Sequence, residues 1–299
     1  MPGARARAVY AGYRVAADVA RVVPPALGEL LARSTAWVYQ AANPARRRQV
    51  ARNLDRVAPA PLDPAARRRA VASVFDHYGR YFHELFRLSV SDPAALVAGF
   101  ACEGKEHVAA AAALGRGVVM ALPHLGNWDL AGAWLVSEGY ELTVVAEPVE
   151  PPELFDWFVA TRERLGMRVV ALGPDSGAAL LRDLHAGRVV ALVCDRDISG
   201  DGVPVDFFGE RTRLPGGPAA LALRTGAPLL PVGCYFRPRR GHEAHILEPL
   251  ATRREARVRD DVARVTQQLA HRFEELIRAA PDQWLLMQPN WPSDAVDRS

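Results

Sequence analysis

His124 and Asp129 are the two side chains whose types and spacing most directly suggest chemistry. Four residues separate them, and a loop of that length can fold back so that the carboxylate holds one imidazole nitrogen. The other nitrogen is then free to accept a proton, as in a general base with its orienting acid. The pair comes without an enzyme nucleophile, so the substrate would supply the hydroxyl. The spacing also fits a second interpretation, in which Asp129 only caps a helix and His124 is an ordinary loop residue.

The residues around this pair predict a strand, a tight loop and a helix. Val118–Leu122 is an apolar run, and Pro123 ends it by removing a backbone donor. Asp129 is expected to cap the following helix, which stops at Gly139. His124 is then expected at the carboxyl end of a strand, beside a helix N-terminus. Open α/β sheets bind ligands in that crevice, where free N–H groups favour developing negative charge.

A second group of polar residues follows another expected strand. Asp195, Arg196 and Asp197 would face the same crevice if the two strands are parallel. One of the two aspartates is then expected to recognise the acceptor hydroxyl, and the alternative is a turn at 197–200 with a local ion pair. Arg162 and Arg164 end a helix that begins after Pro151-Pro152, where basic residues complement the helix dipole.

The element pattern predicts an α/β fold with a central mixed, largely parallel sheet flanked by helices. Beyond residue 100, expected strands alternate with segments of helical length, at 118–122, 142–146, 168–171, 189–194, 228–235 and 244–247. A single domain is expected, with a helical amino-terminal part at 1–100 and the α/β core at 101–250. Residues 251–299 are expected to add a carboxyl-terminal helix and a tail.

The composition describes a globular chain with little net charge. Of 299 residues, 49% are hydrophobic, which is enough for a large core. The 37 basic and 34 acidic residues leave a formal charge of +3, which does not support a nucleic-acid partner. Three cysteines at no metal-ligand spacing indicate buried thiols in a reducing compartment. A membrane span needs about eighteen apolar residues in a row, and none is expected here.

The amino-terminal segment predicts a basic amphipathic helix. Arg7, Arg14 and Arg21 recur every seven residues, with alanines and Val9 elsewhere on the helix. Two interpretations stay open: a surface helix packed on the domain, or an interfacial helix on an anionic membrane. A second helix carries Leu27, Leu30, Leu31, Trp37 and Val38, and a later one carries an aromatic stripe that is more typical of a core: Tyr78, Tyr81, Phe82, Leu85 and Phe86.

The segment Pro-His-Leu-Gly-Asn-Trp-Asp at 123–129 resembles the first motif of the bacterial lysophospholipid acyltransferase superfamily, and most closely its lipid A biosynthesis branch. Its aspartate ending and the Arg- and Ala-rich composition are similar to the actinobacterial phosphatidylinositol mannoside acyltransferases. Two later blocks agree with the branch. The first is the acidic 195–197 followed by the glycine and aromatic-rich strand at 202–209, and the second is Pro231-Val232-Gly233. The resemblance runs from about Ala32 to Trp291.

The resemblance implies a peripheral enzyme at the cytoplasmic face of the plasma membrane. It would move a long-chain acyl group, palmitoyl, from acyl-coenzyme A to a sugar hydroxyl of a phosphatidylinositol mannoside. His124 and Asp129 would be catalytic, with no metal or redox cofactor. The expected substrate contacts are Asn127, Arg162 or Arg164, Asp195, Arg196 and Asp197, with Phe207 and Phe208 either lining the acyl pocket or packing the core. Alternatives are an acyltransferase for another lysophospholipid or glycolipid, a thioester hydrolase, and a noncatalytic membrane-binding protein.

Overall fold

A seven-stranded sheet organises the chain, and the computed structural model describes residues 4–88, 92–238 and 241–294. The sheet order is β1-β9-β8-β2-β5-β3-β4, and β6 and β7 form a separate antiparallel hairpin. The strands are β1 Ala101–Glu103, β2 Val118–Leu122, β3 Leu142–Ala146, β4 Arg168–Ala171, β5 Val189–Val193, β6 Val203–Phe207, β7 Glu210–Leu214, β8 Leu229–Phe236 and β9 His242–Ile246.

Five adjacent strands, β8, β2, β5, β3 and β4, run parallel to one another. Strand β9 is antiparallel to β8, and β1 is parallel to β9. The predicted mixed, largely parallel sheet with flanking helices is therefore confirmed. Because the carboxyl ends of parallel strands meet at one edge, the loops after β2, β3 and β5 lie together. The sequence pattern does not predict β1, which has three residues, or β7, whose sequence Glu-Arg-Thr-Arg-Leu is mostly charged.

Eleven helices accompany the strands in the described part of the chain. They are α1 Ala4–Val22, α2 Pro25–Ala42, α3 Pro44–Val57, α4 Pro64–Leu88, α5 Pro93–Val97, α6 Lys105–Ala112, α7 Trp128–Ser137, α8 Pro152–Arg164, α9 Ser176–His185, α10 Gly217–Thr225 and α11 Val258–Ala279. Helices α2, α3, α4, α5 and α8 each begin at a proline. Proline fits there because the first helical N–H has no intrahelical partner to lose.

Both faces of the sheet are buried. Every residue of β2 is buried, and alternate ones enter two different cores. Val119 packs with residues of α10 and α11, among them Phe273, whereas Met120 packs with residues of α4 and α7, among them Leu85. Continuous apolar strands of this kind are typical of a parallel sheet covered on both sides. A third, smaller core lies between α3 and α4 around Phe75.

The amino-terminal helices present an apolar surface to solvent. Leu30, Trp37 and Val38 on α2 are 61%, 69% and 56% exposed. On α1, Arg14 is exposed and donates to the Tyr10 hydroxyl, while the side chains of Arg7 and Arg21 lie outside the described residues. In the ranges described, no helix combines the length and the apolar character that crossing a membrane requires. Cys194 and Cys234 are buried as predicted, but Cys102 is only partly buried, so that part of the prediction is wrong.

Candidate active site

His124 lies in the loop between β2 and α7, at the carboxyl edge of the sheet. Pro123 ends β2, and Gly126 turns the chain with a φ of +61°. A side chain could not replace this glycine hydrogen, because a Cβ atom would lie 2.3 Å from the Cys234 carbonyl oxygen. The loop is therefore held close to β8, and it places the imidazole over the edge where the parallel strands end.

The carboxylate that holds His124 belongs to Asp195, which directly follows β5 and Cys194. His124 Nδ1 lies 2.5 Å from Asp195 Oδ1, and the His124 backbone N–H donates to Asp195 Oδ2 over 3.0 Å. Strands β2 and β5 are paired in parallel, so the residues that follow them are neighbours. The predicted contact between Asp129 and His124 is therefore wrong in this structure. A different carboxylate, from the neighbouring strand, takes the orienting position.

Asp195 is fully buried, and its hydrogen bonds favour the ionised form. Burial opposes the charged form, but the electrostatic interaction with the His124 imidazole and the donors from His124 and Trp284 outweigh it and hold the pKa of Asp195 below its ordinary value. The Trp284 indole N–H donates to Oδ2 over 2.7 Å, and the Asn290 amide donates to the Asp195 carbonyl over 2.9 Å. An ionised Asp195 makes Nδ1 the protonated ring nitrogen, so Nε2 carries the lone pair.

Asp129 instead forms a buried cluster with Arg162 and Tyr81. The guanidinium of Arg162 on α8 donates to both carboxylate oxygens, over 2.7 and 3.1 Å, and the Tyr81 hydroxyl of α4 donates over 2.8 Å. Burial lowers the proton affinity of Arg162, but the adjacent Asp129 carboxylate outweighs it and raises the guanidinium pKa. Burial, together with the same carboxylate, holds the pKa of Tyr81 well above its ordinary value. Asp129 thus fixes Arg162 in place.

Asn127, not Asp129, caps α7. The Asn127 side-chain oxygen accepts from the Leu130 N–H over 3.0 Å, and its amide donates to Glu84 over 2.6 Å. The prediction that Asp129 is the cap is wrong because the helix begins at Trp128, which puts Asp129 in the first turn. Asn127 is buried and both of its polar groups are hydrogen-bonded inside the protein, and its substrate contact stays a prediction.

A crevice of about 740 Å³ opens in front of His124. Its polar lining includes His124, Arg162 and Arg196, and most of its remaining wall is apolar. Because Nδ1 faces Asp195, Nε2 is the nitrogen that a bound group can reach. Trp128 packs edge-on against the imidazole, with ring centroids 5.4 Å apart. Tyr81 and Phe82 also line the crevice, so part of the aromatic stripe expected in the core belongs to this site.

A narrower apolar pocket adjoins the crevice between α7 and the sheet. Its lining includes Leu122, Gly132 and Met167, and it shares Trp128 and Arg162 with the crevice. At Gly132, an added Cβ would lie 2.8 Å from Met167 Cε, so the glycine lets the Met167 side chain pack closely against α7.

The remaining predicted contacts divide between the crevice and other parts of the fold. Arg162 lines the crevice, whereas Arg164, two residues further along α8, is exposed and does not. Arg196 lines it too and pairs with Glu147 over 3.0 Å. The Asp197 carboxylate accepts from the Gly200 and Gly202 N–H groups, over 2.9 Å each. These bonds support the alternative in which Asp197 stabilises a turn. Its substrate contact stays a prediction.

Phe207 and Phe208 are buried away from the crevice. Phe207 stacks on Trp291, with ring centroids 5.6 Å apart, and Phe208 lies 5.8 Å from Trp284. Neither lines the crevice or the adjoining pocket, so the core alternative is correct for both residues. Trp284 itself is a site residue that the sequence pattern does not reveal. It follows Asp195 by 89 residues, and no local spacing connects the two.

A histidine held by a buried carboxylate, above a largely apolar crevice at the carboxyl edge of this sheet, is suited to the transfer of an acyl group to a hydroxyl. Among the residues that the structure describes, no group of three or more His, Cys, Asp or Glu side chains is placed to hold a metal ion. The chain belongs to the bacterial lipid A biosynthesis acyltransferase family, whose model matches residues 6–293. The family resemblance drawn from the sequence motifs is confirmed.

Comparison with individual proteins agrees with this assignment. The chain is 41% identical over 251 residues to the phosphatidylinositol mannoside acyltransferase of Mycobacterium tuberculosis (strain CDC 1551 / Oshkosh), covering 82% of this chain and 77% of that protein. It is 38% identical over 292 residues to the phosphatidylinositol mannoside acyltransferase of Mycolicibacterium smegmatis, covering 96% and 92%. Similarity to the lipid A biosynthesis acyltransferase of Haemophilus influenzae is lower, at 25% over 198 residues, covering 65% and 60%.

Proposed function

We propose that the protein transfers a palmitoyl group from acyl-coenzyme A to a sugar hydroxyl of a phosphatidylinositol mannoside. The observation that carries the proposal is His124, held at Nδ1 by buried Asp195 and presented to a crevice with apolar walls. The names of the two mycobacterial relatives support the acceptor class. The long apolar walls support a fatty acyl chain, which gains free energy when its methylene groups leave water.

In the proposed reaction, His124 Nε2 accepts the proton of the acceptor hydroxyl as its oxygen attacks the thioester carbonyl carbon. The carbonyl π electrons move to oxygen, and the new C–O bond gives a tetrahedral intermediate. Collapse of this intermediate breaks the C–S bond, and the thiolate takes the proton from the imidazolium to leave as coenzyme A. Asp195 keeps Nδ1 protonated and stabilises the transient imidazolium.

Positive groups around the crevice are proposed to meet the negative charge of the reaction and of its substrates. Arg162 and the N-terminal end of α7 would face the oxyanion or an adjacent phosphate. Arg196 would meet a phosphate of the donor or the acceptor head. The Nε of Arg196 is buried, and no hydrogen-bond partner for it is found within the described ranges. In this proposal Asp129 acts through Arg162 and does not touch the imidazole.

The function is tested by incubating purified protein with palmitoyl-coenzyme A and a phosphatidylinositol mannoside. Free coenzyme A is then measured by thiol titration and the acylated lipid by mass spectrometry. We expect coenzyme A release to depend on the acceptor and to equal the acylated product. If coenzyme A release is undiminished when acceptor is added and no acylated lipid forms, the protein is a thioester hydrolase instead. A parallel arm with palmitoyl-acyl carrier protein tests the donor, and one with a lysophospholipid tests the acceptor.

We also propose that the enzyme works as a peripheral protein on the cytoplasmic face of the plasma membrane, attached to anionic lipid. Both substrates carry chains that partition into lipid. Leu30, Trp37 and Val38 of α2 are exposed, and they offer an apolar face to the interface. Exposed arginines on α3, Arg47 and Arg48, lie on the neighbouring helix. Each arginine near an anionic leaflet would contribute about 1 kcal/mol.

Attachment through α2 gives a direct prediction for liposome co-sedimentation. Wild-type protein is expected to sediment with vesicles that contain phosphatidylglycerol and to be released as salt screens the arginines. The double substitution Leu30→Glu and Trp37→Glu should release most of the protein at moderate salt, because two charged groups would then have to enter the interface.

The matched control is Leu114→Glu, since Leu114 is 53% exposed but follows α6 in the α/β core. The control should sediment like wild type. A chain without residues 1–24 separates the contribution of α1 from that of α2. Equal sedimentation of the wild-type protein and the α2 variant would place the membrane contact on another surface.

A further inference from the structure

The segment that follows α11 pairs with the loop between β2 and α7, which carries His124. Leu125 and Trp284 form an antiparallel bridge, the Gly126 N–H donates to the Gln283 carbonyl over 3.0 Å, and the Leu285 N–H donates to the His124 carbonyl over 2.7 Å. The loop that carries His124 is therefore paired with backbone from the carboxyl-terminal part of the chain. This pairing brings the Trp284 side chain to the buried side of Asp195.

His124 contacts both oxygens of the Asp195 carboxylate, and Trp284 shares Oδ2 with the His124 backbone N–H, which donates over 3.0 Å. The indole N–H donates to Oδ2 over 2.7 Å, and the imidazole Nδ1 lies against Oδ1 at 2.5 Å. A carboxylate can rotate about its Cβ–Cγ bond, and donors on both oxygens stop that rotation. The plane of the carboxylate, and with it the direction of the imidazole, is set from both sides.

The indole is itself fixed by its surroundings. Trp284 is 2% exposed and packs edge-on against Phe207, with ring centroids 6.2 Å apart, and against Trp291, at 6.3 Å. The preceding residue, Gln283, forms two hydrogen bonds with Phe236 at the end of β8. Its side-chain oxygen accepts from the Phe236 N–H, and its amide donates to the Phe236 carbonyl. Trp284 is thus held next to the sheet by the hydrogen bonds of Gln283 to β8, and next to the hairpin β6–β7 by its packing against Phe207.

From this geometry we infer that Trp284 is a positioning residue for the acyl transfer, which acts by orienting Asp195 against His124. The inference rests on the proposed function of the His124–Asp195 pair and adds a residue that contacts neither substrate. The group that acts on the carboxylate is the Trp284 indole N–H. The rings of Phe207 and Trp291 only pack against it.

The test replaces Trp284 by phenylalanine, which keeps an aromatic ring at this position and removes the N–H donor. We expect kcat to fall about tenfold, because a hydrogen bond to a charged group is lost from the catalytic pair. The KM values for palmitoyl-coenzyme A and for the acceptor should stay unchanged. A carboxylate with one donor fewer attracts the Nδ1 proton more strongly, so the acid limb of the kcat/KM profile should move to higher pH.

Trp291→Phe is the matched control, because Trp291 packs against the Trp284 ring, and the Trp291 indole donates to the Phe207 carbonyl over 3.2 Å rather than to Asp195. It should leave kcat and the acid limb unchanged. Equal effects of the two substitutions, or a wild-type rate and pH profile in Trp284→Phe, would overturn the inference.

If Trp284→Phe does not fold, 3-benzothienylalanine at position 284 keeps the ring shape and replaces the N–H with sulfur. The same two readouts then decide: a wild-type rate and acid limb in that protein overturn the inference. A failure of the proposed function is distinguishable, since the wild-type protein would then form no acylated acceptor, whatever the outcome at Trp284.

Discussion

Replacement of His124 by alanine is expected to lower turnover by about 10²–10⁴-fold, the usual contribution of a general base. The imidazole is the group in the crevice that is held by a buried carboxylate and can still offer a lone pair to a bound hydroxyl. Donor binding should change little, because the apolar walls and the arginines of the crevice remain. Initial rates with palmitoyl-coenzyme A and acceptor measure the effect, and thermal unfolding confirms the fold.

His271→Ala is a suitable control, because His271 is exposed on α11 and bonds Gln267 rather than a group of the crevice. The His124 variant should still fold, since Asp195 keeps the Trp284 donor and the backbone N–H of residue 124. A folded His124→Ala protein whose turnover stays within about tenfold of the control would exclude general-base catalysis by this residue.

The sequence predicts the sheet well because its strands are local features. A short apolar run between a glycine and a proline favours a buried strand, and β2 begins and ends where the pattern places it. Likewise, helices that begin at prolines are readable from the sequence. The short β1 and the charged β7 are different, because neighbouring strands and the hairpin partner stabilise them rather than their own composition.

The partner of His124 could not be read from spacing. Asp129 is close in sequence, but α7 begins at Trp128 and directs the Asp129 side chain to Arg162 and Tyr81. Asp195 is 71 residues from His124 and becomes its neighbour only through the pairing of β2 with β5. The sequence does place both aspartates at the correct edge of the sheet. Which of them contacts the imidazole depends on the tertiary structure.

The solvent exposure of a helix face is also not predicted by the periodicity of the sequence. The spacing of Leu27, Leu30 and Leu31 predicts an apolar helix face, and the structure leaves all three at least 45% exposed. A helical pattern identifies which residues share a face but not what covers that face. The same limit applies to Phe207 and Phe208, whose apolar character fits a pocket and a core equally well until Trp284 and Trp291 are in place.

Substitution of Asp195 by asparagine is expected to lower kcat by about 10⁴-fold, the effect of the corresponding change in a serine-protease triad. An asparagine amide can donate to Nδ1, which would move the proton to Nε2 and remove the lone pair that the acceptor hydroxyl needs. The Trp284 indole and the His124 backbone N–H can still bond the remaining oxygen, so the fold should survive. Single-turnover rates with saturating donor measure the chemical step directly.

Asp129→Asn is the matched comparison, because it makes the same chemical change in the carboxylate that sequence spacing favours. This substitution should mainly raise KM, by about tenfold, which is a smaller effect than that of Asp195→Asn. The reason is that it weakens the hydrogen bonds that position Arg162 and leaves the contacts of the imidazole unchanged. A result in which Asp129→Asn abolishes turnover and Asp195→Asn retains it would reverse the assignment. The catalytic carboxylate would then be the one five residues beyond His124, and the pairing of Asp195 with the imidazole would not be the arrangement that performs the reaction.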